Sequence, residues 1–309
     1  MGKIAFLFAG QGAQYPGMGK SLYDISPAAK QIFDQADQLR PGTISQCFEG
    51  PEAVLLQTAN TQPCLFTMDL ACAKAAQVMG IQPDMCAGFS LGEVAAAAFC
   101  GLYSFDTAFA FVKRRGELMQ ACAEAVPGCM TAVLRLTTEQ VLALCNRFLK
   151  VYPVNFNCPG QIVVSGPMAE MEAFEQAVIA EKGRAVRLKV SGGFHSPMMA
   201  PAARELAAWL ENVSMSSPAI PLYANKTALP YGENAPFLLS SQVESPVLWE
   251  DTILNMLRDG ATTFVEVGPG AVLTGLVRKI APNVAVYHVE DEKSLESAVS
   301  MFGGGATQC

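Results

Sequence analysis

Charge is scarce in this chain of 309 residues: Asp, Glu, Lys and Arg together make up 16%, with a net charge of −7. A nucleic-acid partner calls for a basic face that neutralises phosphates, so the acidic balance argues against that role. Paired cysteines are missing as well. The ten cysteines are scattered without C-x-x-C spacing, which argues against zinc and disulfide frameworks. Cys72, Cys100 and Cys122 fall in apolar helical stretches, where a reduced thiol acts as a small hydrophobe. No apolar run approaches the ~20 residues of a membrane span. Met1–Phe8 enters a strand-like stretch directly, with no basic segment or cleavage site, so no export signal and a cytoplasmic location are expected.

What the sequence has is apolar mass, 51% of its residues, enough to bury a large core. At this length, one main core plus an insertion is the expected organisation. Lys3–Phe8 reads as a buried strand ending in a glycine-rich loop, residues 9–14. Helices are expected over Ala28–Gln38, over Cys64–Met79 after a Thr61-Gln62-Pro63 start signal, over Leu91–Cys100 with a stop at Gly101, and over Phe105–Ala125. A short strand, Asp84–Gly88, precedes Ser90. This strand–turn–helix alternation indicates an α/β fold with a mostly parallel sheet. The middle reads β-α-β-β-α-β, the order of a ferredoxin-like module. Its strands are expected at Cys129–Leu136, Val151–Phe156, Gln161–Ser165 and Ala185–Val190, and its helices at Thr138–Phe148 and Met168–Glu181. Residues 127–190 are therefore read as a small domain inserted into a larger one made of 1–126 and 191–309. Further on, helices are expected over Ser196–Val213, Pro246–Asp259 and Ala271–Ile280. They alternate with extended segments Ile220–Ala224, Thr263–Val267 and Val284–His288. Gly303-Gly304-Gly305 opens a tail expected to fray.

Gly88-Phe89-Ser90-Leu91-Gly92 is a G-x-S-x-G pattern between strand and helix, the context of a nucleophile elbow. A sharp turn there presents Oγ outward, the glycines relieve crowding, and the helix N-terminus favours a developing anion. The plain alternative is a glycine-lined turn with an N-capping serine. A serine nucleophile needs a base, and there are two histidines. His195 lies in a glycine- and serine-rich loop that opens a helix; His288 lies in an alternating strand near the C-terminus. Loop context favours His195. The chain order of α/β-hydrolases, with histidine last, keeps His288 open. The loop Gly10-Gln11-Gly12-Ala13-Gln14 lacks the Lys-Ser/Thr of a phosphate cradle and reads as a turn that lends an N–H to an oxyanion. Within Lys113-Arg114-Arg115 the first two read as solvated. Arg115, beside Gly116, is placed to point inward toward an anionic partner such as a substrate carboxylate.

Together these motifs resemble the malonyl-CoA:acyl carrier protein transacylases and the related acyltransferase domains of polyketide synthases. The resemblance covers nearly the whole chain, through GQGAQ (10–14), GFSLGE (88–93), RRGELMQ (114–120), PVNFNCPGQIVVSG (153–166), GGFHSPMM (192–199), SPVLW (245–249) and VEVGPG (265–270). It implies an α/β-hydrolase-like large domain with a ferredoxin-like insertion. It implies that Ser90 is acylated, that His195 is its base, and that the backbone carbonyl of Gln242 holds that histidine. Arg115 would bind the malonyl carboxylate, the amides of Gln11 and Leu91 would form the oxyanion hole, and Phe194, Met119 and Phe89 would line the substrate pocket. The implied reaction moves malonyl from malonyl-CoA to the phosphopantetheine thiol of an acyl carrier protein, with no metal or other cofactor, in an enzyme expected to be a monomer. Acyl carrier proteins are acidic, so docking would need a basic patch, for which Lys182, Arg184, Arg187, Lys189, Arg278 and Lys279 are candidates. One departure stands out: the residue before the nucleophile is commonly histidine in that family and is Phe89 here, so carboxylate recognition would rest more on Arg115. A serine hydrolase or thioesterase and a non-catalytic docking module remain as rival readings.

Overall fold

The computed structural model describes residues 2–190 and 192–303. Of the expected tail, Gly304 and Gly305 lie outside the described residues, and Gly303 closes a helix, Glu292–Gly303, that carries no strong sequence signal.

The strands are β1 (Lys3–Phe8), β2 (Met85–Gly88), β3 (Gly128–Leu134), β4 (Tyr152–Cys158), β5 (Gln161–Pro167), β6 (Arg184–Arg187), β7 (Leu222–Tyr223), β8 (Ala261–Val267) and β9 (Ala285–Val289). Five form a parallel sheet in the order β7-β2-β1-β8-β9. Parallel neighbours need crossover helices, which cover both faces of the sheet. The period of two along a strand divides the side chains between two cores. Phe6 and Phe8 of β1 pack with helices Thr58–Val78, Leu91–Phe99 and Phe105–Ala125 on one face. Ala5 and Leu7 pack with helices Trp249–Arg258 and Val272–Ile280 on the other. Register places Phe8 beside both Gly88 and Val267, so the loops that leave β1, β2 and β8 emerge side by side.

The other four strands form an antiparallel sheet in the order β4-β5-β3-β6. With helices Thr138–Cys145 and Met168–Ala180 they complete the expected β-α-β-β-α-β order. One face of this sheet buries its own cluster around Val164, Met171 and Phe174. The other face, through Met130, Ala132, Val154 and Val163, joins the main core. The edge strand β4 is also tied across: Val247 donates to the Val154 carbonyl at 2.8 Å and accepts from Phe156 N–H at 2.9 Å.

Several boundaries differ from the sequence reading, each for a physical reason. The helix read as beginning at Cys64 begins at Thr58 and runs through Pro63. That proline removes only the bond to the Ala59 carbonyl, and the helix is buried on almost every side, so packing carries the helix back past the local start signal. The helix read from Pro246 starts at Trp249, because the backbone of Val247 is engaged with β4. The segment after His195 opens with a 3-10 turn, Pro197–Met199, before the helix Ala200–Leu210. Helices Lys20–Ile25, Thr43–Glu49, Glu52–Leu55 and Ala235–Ser241 escaped the reading because each is too short to show a periodic pattern.

Candidate active site

Ser90 sits between β2 and its following helix with φ 54° and ψ −102°, a conformation an ordinary residue avoids. Two glycines make it attainable. A Cβ at Gly88 would lie 2.0 Å from the backbone of Gly92, and one at Gly92 would lie 2.2 Å from the Phe8 carbonyl oxygen. Asn225, just past β7, locks the turn: its Oδ1 accepts from Ser90 N–H at 2.7 Å and its Nδ2 donates to the Gly88 carbonyl at 2.6 Å. The Ser90 side chain caps nothing on its helix, so the N-cap reading falls. Its Oγ instead lies 2.7 Å from Nε2 of His195.

His195 occupies a loop position with φ 61°, its N–H donating to Val243 O at 2.9 Å. Its Nδ1 is 3.0 Å from the Gln242 carbonyl and 3.2 Å from the Ser245 carbonyl. Carbonyls only accept, so Nδ1 carries the proton and Nε2 is free to take one from Ser90. Burial first, then the Arg115 charge, lowers the imidazole to about 4, against the pull of the two carbonyls. The ring is therefore neutral at pH 7 and able to act as a base. His288 is nowhere near. It stands on the outer strand β9, 37% exposed, 3.7 Å from Glu290.

Arg115 is buried, and Gly116 lets its helix pack close to the Thr58 backbone. Its Nη1 donates to Gln62 Oε1 at 2.8 Å; Nη2 donates to Gln242 Oε1 at 2.7 Å and reaches Ser90 Oγ at 3.3 Å. Nε has no partner among the described residues. Burial brings the guanidinium down to about 10, which leaves it charged at neutral pH. No described carboxylate pairs with it directly. Nε, the one guanidinium nitrogen without a described partner, is thus left for a small anionic group beside the serine hydroxyl.

Gln11 lies in the loop after β1, and Leu91 is the first residue of the helix after Ser90. Neither backbone N–H donates to a described acceptor. Met119 is buried and accepts from Gln62 Nε2 at 3.3 Å, which steadies the glutamine that holds Arg115. Phe194 is buried next to His195, its ring against Gly192. Phe89 stacks edge-on to Trp249 at 5.3 Å and lies against Gly10. It faces a groove of about 490 Å³ that runs between the loop Ala9–Gln14 and the small sheet, where Asn155, Asn157, Arg187 and Lys189 form the opposite wall. Of the basic candidates, Arg187 also pairs with Glu175 at 2.8 Å and Lys279 reaches Gln161 at 3.2 Å. Lys182, Arg184 and Arg278 are not among the residues that line this groove.

Sequence reasoning missed the layer behind these groups. Glu93, Asn225, Tyr231 and the side chain of Gln242 form one buried hydrogen-bonded network under Ser90. Only Glu93 left a trace, as the last letter of GFSLGE, where an acid in a first helical turn is ordinary. Among the described residues no helix is long and apolar enough to cross a membrane, and no group of His, Cys, Asp and Glu is arranged to hold a metal ion.

An elbow serine on a parallel sheet, with a neutral histidine on its hydroxyl, is the equipment of serine-dependent acyltransferases. The chain belongs to the acyl transferase domain family, whose family model matches residues 5–299, and within it to the malonyl CoA-acyl carrier protein transacylases. It is 40% identical over 307 residues to the malonyl CoA-acyl carrier protein transacylase of Bacillus subtilis, covering 97% of each chain. The crystal structure of the Clostridium perfringens transacylase matches with a TM-score of 0.93 and 39% identity, covering 98% of both chains. A malonyl-transacylase solved in complex with a type II polyketide acyl-carrier protein matches with a TM-score of 0.93 and 33% identity, covering 97% of this chain and 99% of that one.

Proposed function

We propose that this protein transfers malonyl from malonyl-CoA to the phosphopantetheine thiol of an acyl carrier protein through an ester on Ser90. The observation that carries the reading is a convergence on one atom. The Ser90 hydroxyl has the base nitrogen of His195 at 2.7 Å and the Arg115 guanidinium at 3.3 Å. Nucleophile, base and carboxylate anchor therefore meet where a malonyl thioester has its reactive carbonyl and its acid within a few ångströms of each other.

His195 takes the hydroxyl proton as Ser90 Oγ attacks the thioester carbonyl. The amides of Gln11 and Leu91 hold the oxyanion, each worth roughly 2.7–4 kcal/mol in such sites. CoA departs as a thiol with the proton from His195, and the carrier-protein thiol then reverses the sequence in a ping-pong scheme. The groove beside Phe89 accommodates the thioester arm, with Phe194 and Met119 closing the acyl end. A hydrolase of simple acyl chains has no use for a buried arginine at its nucleophile. Residues 127–190 are an insertion that supplies one wall of the groove, and the enzyme works as a cytoplasmic monomer.

Incubation with malonyl-CoA followed by intact-mass measurement tests the reading. Wild type gains one malonyl mass, and Ser90→Ala gains none while keeping its fold, since a single oxygen is removed. An adduct that persists in Ser90→Ala means that the nucleophile lies elsewhere.

A further inference from the structure

Behind Ser90 lies a carboxyl group that the reaction above does not use. Glu93, 1% exposed, accepts through Oε2 from Gln242 Nε2 at 2.5 Å and from Asn225 N–H at 3.2 Å. Its Oε1 accepts from the Tyr231 hydroxyl. The opposite end of the same Gln242 amide accepts from Arg115 Nη2 at 2.7 Å. One carboxamide thus stands between Glu93 and the guanidinium, and the main-chain carbonyl of that same residue holds His195.

We propose that Glu93 is the standing counter-ion of Arg115 and takes up a proton from solvent when an acid-bearing acyl group docks on that arginine. The inference rests on the malonyl reading above. A buried guanidinium that receives a second carboxylate binds both less well, because the two anions repel each other. The malonyl carboxylate touches Arg115 directly, whereas Glu93 acts across the Gln242 amide, so Glu93 is the one neutralised. The network accommodates the proton by reversing one bond. Placed on Oε1, it is donated to the Tyr231 oxygen and the phenol hydrogen turns aside, while Gln242 and Asn225 continue to donate to Oε2.

The surroundings leave Glu93 as the group poised near neutrality. Burial raises it to about 7, against the three donors and the Arg115 charge that pull it down. Tyr231 and Tyr103 are pushed by burial well above the usual phenol range. Arg115 is lowered only to about 10, and His195, beyond it, is lowered to about 4. Lys226, next to Asn225, turns to Ser241 Oγ and the Phe237 ring.

Proton balance gives the test its edge. Ester formation replaces a C–S bond by a C–O bond, and the serine proton leaves on the CoA thiol, which stays protonated below about pH 8. The transfer itself neither takes up nor releases a proton. Stoichiometric enzyme is mixed with malonyl-CoA, without carrier protein, in weakly buffered indicator solution between about pH 6 and 8, where the released thiol stays protonated, with intact mass read on the same samples. The expected result is first-turnover proton uptake that is small below pH 7, rises just above it toward one per malonyl ester, and is absent with acetyl-CoA. The malonyl-to-acetyl ratio of kcat/KM should be flat below about pH 7 and fall above it by at most tenfold per pH unit, the limit for one proton. In Glu93→Gln both signals vanish. A malonyl ester formed without uptake, or equal uptake with acetyl-CoA, overturns the role of Glu93 and leaves the malonyl reading standing. No ester at all overturns both. The comparison of the two thioesters on wild type decides the matter even where Glu93→Gln fails to fold.

Discussion

Two buried polar clusters lie at the carboxyl ends of the parallel strands, one around a single acid and one around several, each with a histidine nearby, and they are built on opposite rules. Around Ser90, Glu93 has three donors and a buried cation one amide away, and His195 is held by two carbonyls. Around Gly268 there are only acids. Glu266 is satisfied by the N–H groups of Leu273 and Thr274, and Glu290 by Gly270 N–H and the Tyr15 hydroxyl. Asp69, fully buried beneath Gly268, has no described partner for either oxygen. No Lys or Arg pairs with any of them among the described residues, and His288 only approaches Glu290 from the surface. A buried charge is tolerable when matched and costly when not. The first cluster can therefore keep charges ready for a substrate, whereas the second gains stability by keeping Asp69 neutral.

The largest expected contrast is between the two histidines. His195→Ala should lower malonyl transfer by about 10²–10⁴, the usual worth of a general base. His288→Ala should stay within a few-fold of wild type in the same steady-state assay. A sensitive His288 would bring the second cluster into the chemistry and break the comparison. Next comes the cation that only the first cluster has. Arg115→Ala should reduce kcat/KM for malonyl-CoA by about two to four orders of magnitude, from the roughly 3–5 kcal/mol of a shielded charged pair. Acetyl-CoA lacks the carboxylate, so its use should hold or improve. Lys should rescue only in part, because a point charge does not reproduce the directed N–H donors of a guanidinium. A malonyl-to-acetyl ratio that does not move would make Arg115 a structural residue.

The first cluster was largely legible in the sequence and the second was not. Ser90, His195 and Arg115 announce themselves through local constraints: glycines that permit a strained turn, a polar loop, and an arginine flanked by glycine where a helix must pack. Gln242 entered as a backbone support through the family resemblance alone. The work of its side chain was not legible, because its partners lie far away along the chain, at positions 90, 93 and 115. Asn225 gave no signal at all, since its whole role is to close a turn more than a hundred residues earlier, at Gly88 and Ser90. The sheet order was legible as a class through strand–helix alternation, but pairings such as Val247 with β4 arise from packing between distant segments. Asp69 sits in an apolar helical run and is unremarkable there until Gly268 closes over it. For Phe89 the structure redirects the expectation. It packs on Trp249 and Gly10 and lines the groove, which is where the proposed function puts the thioester arm.

The smallest effect concerns Asp69, and it tests the rule for the second cluster. Burial first, then the Glu266 charge, raises its carboxyl well above the usual range. A group whose folded pKa exceeds its unfolded value of ~3.9 lends full stability below that value, and the contribution is lost as pH rises through the folded pKa. Asp69→Asn keeps the shape that fits under Gly268, where a Cβ would come within 2.1 Å of Oδ1, and removes the ionisation. Thermal melts at several pH values should show mutant and wild type nearly equal near pH 4. The mutant should then gain, reaching a few degrees at pH 8. Glu266, raised by burial to about 6, adds its own decline with pH to both proteins, so the quantity to follow is the difference between their melting temperatures. A difference that is flat across pH would mean that Asp69 carries its charge at no cost. The cluster at Gly268 would then obey the same rule as the one at Ser90.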